Sequence, residues 1–281
     1  MIWIAGCTGF CPDHTIVSRG VIGKNYMKLA TWNVNSLKVR LPQVIDWLHA
    51  HQPDMLCLQE TKLTDNNFPQ DEIAEAGYQS VFTGQKTYNG VAILSKKKAE
   101  EVLTAIPDFE DEQKRVIAAT FGEFRIICIY VPNGEAVGSE KYDYKLKWLP
   151  ALAEWLQAEL KTYPKLAVLG DYNIAPDDRD VYDSKLWEGK VLCSQAERDA
   201  FGNLLNLGLM DSFRLFDQPE KTYSWWDYRM LAFRRNRGLR IDHILLSKKL
   251  TDNCVTCHID KATRKLERPS DHAPVIAELS L

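Results

Sequence analysis

The sequence predicts one α/β domain in which sheets pack together and helices lie outside. Three observations carry this expectation. Short, wholly apolar runs such as Met55-Leu56-Cys57-Leu58 and Leu166-Ala167-Val168-Leu169 have strand length and need cover on both faces. Longer segments between them carry apolar residues at helical spacing. No low-complexity linker divides the 281 residues, a length that can bury one substantial core.

The elements follow in order from Met27. Residues 29–34 read as the first strand. The helix after it has Pro42 in its first turn and Leu41, Val44, Ile45 and Leu48 at the i, i+3, i+4, i+7 spacing. Residues 55–58 form a short apolar strand ending at Gln59-Glu60. Residues 91–94, 116–121 and 125–131 are three more strands, the last two joined through Gly122-Glu123. A helix over 144–160 carries the stripe Trp148, Leu149, Leu152, Trp155 and Leu156, and strand 166–169 then ends at Gly170-Asp171. Phe201, Leu204, Leu205 and Leu207 mark another helix, and 241–246 and 275–279 are late strands. Residues 1–26 are unlike the rest and read as a flexible N-terminal extension to a single domain spanning 27–281. The stretch Ile2-Trp3-Ile4-Ala5-Gly6-Cys7 has no basic residue before it and is too short for an export signal.

Composition narrows the function classes. Hydrophobic residues at 45% and charged residues at 26% exclude a disordered or fibrous chain. No apolar run reaches the ~18–20 residues of a membrane-spanning helix. A net charge of −3 means that any nucleic acid is held by a local basic patch or with the help of a divalent cation. Seven scattered cysteines, an odd number, point to a reducing compartment and so to the cytoplasm. Cys254-Val255-Thr256-Cys257-His258 fits a haem-attachment pattern, but its alternation of Val255, Cys257 and Ile259 is that of an ordinary strand.

The polar residues that stand out all close apolar strands: Asn33 and Asn35, Glu60, Tyr130, Asp171 and Asn173, Asp242, and Asp271-His272. Singly, an Asp or Asn after a strand is ordinarily a turn or cap residue. Their recurrence at strand after strand points to one site. Residues at i and i+2 of an extended chain face the same way, so Asn33 with Asn35, and Asp171 with Asn173, can address one atom. Glu60 and Asn33 offer hard oxygens suited to Mg²⁺. Asp171 is a candidate general base, and Asn173 can hold a water or an anionic oxygen. His272, oriented by Asp242, can donate toward developing phosphate charge. Together these groups describe phosphoryl-ester hydrolysis.

At these residues the pattern resembles the exonuclease III group of the endonuclease/exonuclease/phosphatase superfamily. The motifs are Trp32-Asn33-Val34-Asn35, Leu58-Gln59-Glu60-Thr61-Lys62, Tyr130-Val131-Pro132-Asn133-Gly134 and Gly170-Asp171-Tyr172-Asn173-Ile174-Ala175. Three more follow in Ser224-Trp225-Trp226-Asp227-Tyr228-Arg229, Gly238-Leu239-Arg240-Ile241-Asp242 and Ser270-Asp271-His272-Ala273-Pro274. The resemblance implies a four-layered α-β-β-α sandwich of two mixed sheets. It implies a Mg²⁺-dependent repair nuclease, with Mn²⁺ as a substitute ion, that cleaves beside abasic sites and trims 3′ ends of duplex DNA. By the same resemblance Glu60 and Asn33 are metal-side residues, with Asn35 and Asp271 at a second metal position. Asp171 activates water, Asn173 assists, Asp242 orients His272, and Tyr130 and Asn133 contact the phosphate.

Trp225, Leu239 and Ile241 match a small apolar pocket for a flipped, base-less sugar, whose extrusion costs little. Lys62 and Arg229, in matching motifs, complete the expected DNA contacts. Arg237, in the basic run 234–240, joins them, and Lys96-Lys97-Lys98 is a further phosphate patch or a solvated loop. The expected partner is double-stranded DNA with abasic sites or damaged 3′ ends, met by a monomer without a membrane. Same-fold phosphatases of inositol phosphates and phosphodiesterases of sphingolipids share the metal, base and histidine logic. The tryptophan stretch and the arginine run favour DNA. A bulky residue within 177–198 would block an internal abasic site yet admit a 3′ end.

Overall fold

A computed structural model describes residues 26–281. The expectation for the N-terminal extension lies, apart from Tyr26, outside the described residues. The strands in chain order are β1 (Tyr26–Asn33), β2 (Met55–Gln59), β3 (Gln79–Thr83), β4 (Val91–Ser95), β5 (Glu100–Leu103) and β6 (Val116–Phe121), then β7 (Phe124–Tyr130), β8 (Leu166–Asp171), β9 (Leu209–Asp211), β10 (Asp242–Ser247), β11 (Cys254–Ile259) and β12 (Val275–Ser280). The helices are α1 (Leu37–His51), α2 (Gln70–Glu75), α3 (Glu140–Thr162), α4 (Ser184–Trp187), α5 (Gln195–Asn206) and α6 (Lys248–Thr251).

The strands form two six-stranded mixed sheets, ordered β11-β12-β1-β2-β4-β3 and β5-β6-β7-β8-β10-β9. Period-two alternation sorts their apolar residues into layers. Leu29, Cys57 and Ile93 of one sheet meet Ile126, Cys128 and Leu169 of the other in a central core. The opposite faces carry Leu56, Leu58 and Leu94 against Val44 and Leu48 of α1, and Ile127, Ile129 and Val168 against Trp148 and Leu152 of α3 and Phe201 of α5. This is the α-β-β-α sandwich, and it explains why the central strands are apolar on both sides.

Three details go beyond the sequence reading. Pro42 lies one turn deeper in α1 than expected, because the helix already begins at Leu37. Strands β3, β5 and β9 carry no apolar run to betray them; β3 and β5 are edge strands, and β5 is exposed throughout. Lys96-Lys97-Lys98, expected as a phosphate patch or a solvated loop, follows the end of β4 remote from Glu60. In the antiparallel pair Val91 faces Gln59 whereas Ser95 faces Met55, so the lysines sit roughly 13 Å of strand away from Glu60, and Lys96 Nζ donates to the Gln52 carbonyl at 2.7 Å.

The pairing also decides where the polar strand ends go. Asn33 is in register with Gln59, Tyr130 with Asp171, and Asp242 with Asp171, so five strand ends share one rim. Gly170 permits this: a Cβ there would lie 1.9 Å from the Ile129 carbonyl oxygen of the neighbouring strand.

Candidate active site

Asn33 bridges the two sheets at that rim. Its Nδ2 donates to Glu60 Oε1 and to Asp171 Oδ2, each at 2.9 Å. The Tyr130 hydroxyl donates to the same Glu60 oxygen at 2.9 Å. Asp171 is buried and receives two more bonds from Asn173, from its N–H at 2.9 Å and from Nδ2 at 3.3 Å. Asn133 Nδ2 donates to Asn173 Oδ1 at 2.9 Å. His272 Nδ1 lies 2.9 Å from Asp242 Oδ2, which leaves Nε2 facing Asp171 Oδ2 at 3.8 Å.

Local geometry repeats between the halves of the chain. Asn33 Oδ1 accepts from the Asn35 N–H, and Asp171 Oδ1 from the Asn173 N–H, both at 2.9 Å. Asn35 and Asn173 have φ of 42° and 49°, a left-handed backbone that asparagine tolerates. These turns, not the alternation of an extended chain, bring each pair together. Glu60 and Lys62 also sit at positive φ, 52° and 55°. Backbone bonds from Ser36 N–H to the Glu60 carbonyl at 2.8 Å and from Lys62 N–H to the Asn89 carbonyl at 2.9 Å hold that strained segment.

The electrostatics divide the rim in two. Burial pushes the Asp171 carboxyl up to about 7, Asp242 adding to the rise and His272 opposing it. Burial also disfavours charge on His272, but Asp242, Asp171 and Asp271 outweigh it and push its pKa up to about 10. The imidazole is therefore charged at neutral pH and can donate to an anionic oxygen. Asp171, Asp242 and His272 offer atoms within 4.8 Å of one another, close enough for an ion. His272 Nδ1 is already taken up by Asp242, which leaves Nε2 and the Asp171 carboxylate facing one another. On the other side, Glu60 Oε2 and Asn35 Oδ1 converge on the Lys62 ammonium at 2.8 and 2.5 Å. Despite burial, Lys62 and Asn33 keep the Glu60 carboxyl below its ordinary value. These hard oxygens already accept a positive charge, as a divalent cation requires.

Asp271 joins the rim through Asn35 Nδ2 at 2.9 Å and Trp225 Nε1 at 3.0 Å. Leu239 and Ile241 lie beside it in a buried apolar cluster with Ala175, Val181, Leu192 and Cys193, and Trp225 packs on that cluster. Arg229 and Arg237 are exposed and make no side-chain contact with the rim; the nearest anion to Arg229 is Asp227, at 3.8 Å. Arg240, part of the basic run expected to meet phosphates, is a correction: it is buried, pairs with Asp180 at 2.6 Å and Asp211 at 2.8 Å, and is closed to DNA.

Sequence reasoning missed several contributors. Ser270 Oγ donates to the Asn33 carbonyl at 2.7 Å and accepts from the His272 N–H at 3.2 Å, and Ser224 Oγ accepts from the Asp242 N–H at 3.0 Å. Lys145 is fully buried beneath Asn133 and Asn173. Its signal was its spacing, since a lysine three residues before Trp148 falls on the apolar stripe of α3.

The sequence and the fold are similar to those of known proteins. The sequence profile of the Endonuclease/Exonuclease/phosphatase family matches residues 30–272. The chain is 39% identical over 265 residues to Exodeoxyribonuclease III of Haemophilus influenzae, covering 90% of this chain and 99% of that protein. Among solved structures, the 3′ phosphatase NExo from Neisseria bound to a product DNA hairpin is 48% identical with a TM-score of 0.89, covering 91% of this chain and all of that one. An AP endonuclease from Archaeoglobus fulgidus is 37% identical with a TM-score of 0.88 over 91% of this chain and all of that one. Profile, sequence and fold agree over nearly all of the described residues: the chain belongs to the endonuclease/exonuclease/phosphatase family.

Proposed function

We propose that this chain is a metal-dependent DNA repair nuclease that hydrolyses phosphodiester bonds at 3′ ends and 5′ to abasic sites in duplex DNA. The observation that carries the reading is the continuous line Glu60, Asn33, Asp171, His272, Asp242. It sets a cation site, a base and a charged donor side by side. Support comes from relatives named for these activities: an exodeoxyribonuclease, a 3′ phosphatase and an AP endonuclease.

In this reading Asp171 takes the proton of the attacking water while three donors from Asn33 and Asn173 fix its lone pairs. Asn173 and Asn133 hold the water and a phosphate oxygen, and Tyr130 contacts the phosphate. The His272 imidazolium faces the charge that develops on the phosphate, with Asp242 fixing its orientation. Glu60, with Asn35 and Asp271, would hold the divalent cation. Asn33, expected as a ligand, stands on the metal side as the donor that fixes Glu60 through Nδ2 while its Oδ1 accepts from the Asn35 N–H. Mg²⁺ suits that all-oxygen donor set, Mn²⁺ substitutes for it, and the bound ion supplies charge stabilisation to the phosphate. Lys62, Arg229 and Arg237 contact the DNA. The protein works as a monomer in the cytoplasm.

A panel of duplexes tests the reading, carrying an internal abasic site, a nicked 3′-phosphate or a recessed 3′ end, beside a soluble inositol phosphate. Cleavage of DNA that stops on chelation and returns with Mg²⁺ or Mn²⁺ is expected. Hydrolysis of the inositol phosphate alone would replace this function by the phosphatase reading.

The pH profile follows from the two titrating groups. Asp171 acts as a base only when deprotonated, so kcat/KM falls as the pH drops through about 7, and a bound cation lowers that midpoint. His272 donates only when protonated, so activity falls again as the pH rises through about 10. A profile without an acid limb would remove Asp171 as the base.

One residue sets the balance among substrates. Leu192 has φ 74°, is buried, and packs with Leu239 and Ile241, the apolar wall expected to receive a base-less sugar. We infer that its side chain competes for this wall with an extruded internal sugar, whereas a 3′ end requires no such insertion. The chain therefore favours 3′ ends. Leu192→Gly, which also relieves the left-handed backbone, is expected to raise internal abasic incision relative to 3′-phosphate removal by about tenfold. An unchanged ratio in the two assays would show that the wall does not select.

A further inference from the structure

We infer that Lys145 is a positioning residue of this site, fixing the backbones of Asn133 and Asn173 so that their carboxamides stay beside Asp171. Lys145 is 0% exposed, on the buried stripe of α3. Its ammonium has three protons and three acceptors: the Asn173 carbonyl at 2.7 Å, the Asn133 carbonyl at 3.2 Å and Glu197 Oε1 at 2.5 Å. Asn133 follows β7 and Asn173 follows β8, so one side chain binds both turns from below. Above it the same residues meet again, where Asn133 Nδ2 donates to Asn173 Oδ1 and Asn173 Nδ2 to Asp171 Oδ2.

The charge is a costly way to fill that place. Burying an ammonium and a carboxylate carries a desolvation penalty that an apolar pair avoids, so such pairs are weak devices for stability. What an apolar side chain cannot do is bond two carbonyls. The restraint falls on a turn: Asn173 leaves β8 at φ 49°, and the direction of its carboxamide follows from that backbone. Glu197 serves as the counter-charge and also closes the capping box of α5 with Ser194. Its Oε1 accepts from the Leu192 N–H at 3.0 Å as well, so the pair reaches the pocket wall.

The inference rests on the nuclease reading, and the test separates the two. Glu197→Gln leaves both carbonyl bonds of Lys145 in place; it is expected to lower Tm while turnover of a recessed 3′ end stays within about threefold. Adding Lys145→Met removes the bonds together with the leftover charge. This double variant is expected to melt no lower than Glu197→Gln, yet to lose about tenfold or more in kcat with KM nearly unchanged. Turnover that merely follows Tm across the variants would overturn the inference. A second readout needs no substrate: the side-chain amide NMR signals of Asn133 and Asn173 should move or broaden in the double variant and hold in Glu197→Gln. Unchanged signals in both would overturn the positioning role, whereas moved signals in a protein that cleaves no DNA would uphold it and refute the nuclease.

Discussion

Asp171→Asn is expected to lower turnover of a recessed 3′ end by about 10³-fold or more, with DNA affinity within a few fold of the parent. The substitution keeps the shape and removes the basic oxygen. Asp171 accepts from Asn33 Nδ2 and from Asn173 twice, so every group bonded to its carboxylate is a donor, and the charged His272 Nε2 faces it at 3.8 Å. An amide nitrogen at this place meets at least one of those donors head-on, which costs about 1–3 kcal/mol. Against that, the variant no longer buries a carboxylate whose pKa is already pushed up to about 7. The two effects oppose each other, so the fold survives and the loss falls on chemistry. Single-turnover rates with a filter-binding Kd measured in parallel settle the matter. Near-parental turnover would move the base elsewhere on the rim.

His272→Ala combines a catalytic and a structural effect, and pH separates them. Turnover is expected to fall by about 10²–10³-fold, since the charged donor facing the phosphate is gone. Stability falls too, because Asp242 and Asp171 lose the cation they share, and breaking a buried pair costs about 3–5 kcal/mol. The folded-state pKa of His272 lies above its ordinary 6.5, at about 10. Its contribution to stability is therefore complete below about 6.5 and disappears as the pH rises through about 10. Melting curves in chelator should show the widest gap between parent and variant near neutral pH or below, closing toward pH 10. A gap that widens with pH would mean that the ring is neutral in the folded protein.

Much of the rim is legible in the sequence because its residues close strands, and strands announce themselves by local apolar runs. Met55–Gln59 points to Glu60, and Leu166–Asp171 carries its own carboxylate. The edge strand Glu100–Leu103 is illegible for the same reason, since it buries nothing and has no pattern to show. The expected arginine contacts fare unevenly. Arg240 looks like its neighbours Arg235 and Arg237, and only the presence of Asp180 and Asp211 around it turns it inward.

The sequence by itself determined the alternation of strands and helices, the double-faced burial of the central strands, and the chemical types standing at their ends. All of these follow from spacings of a few residues along the chain. Tertiary structure alone decided which of those ends meet. Asn33 reaches Asp171 across 138 positions of sequence, and the register of β8 against β7 and β10 puts Tyr130 and Asp242 beside it. It also decided that Lys145 holds two carbonyls, that Leu192 fills a wall, and that Lys96 lies at the far end of its sheet. The physical reason is that a charged or apolar side chain takes its role from what surrounds it after packing, and packing partners lie beyond the reach of local periodicity.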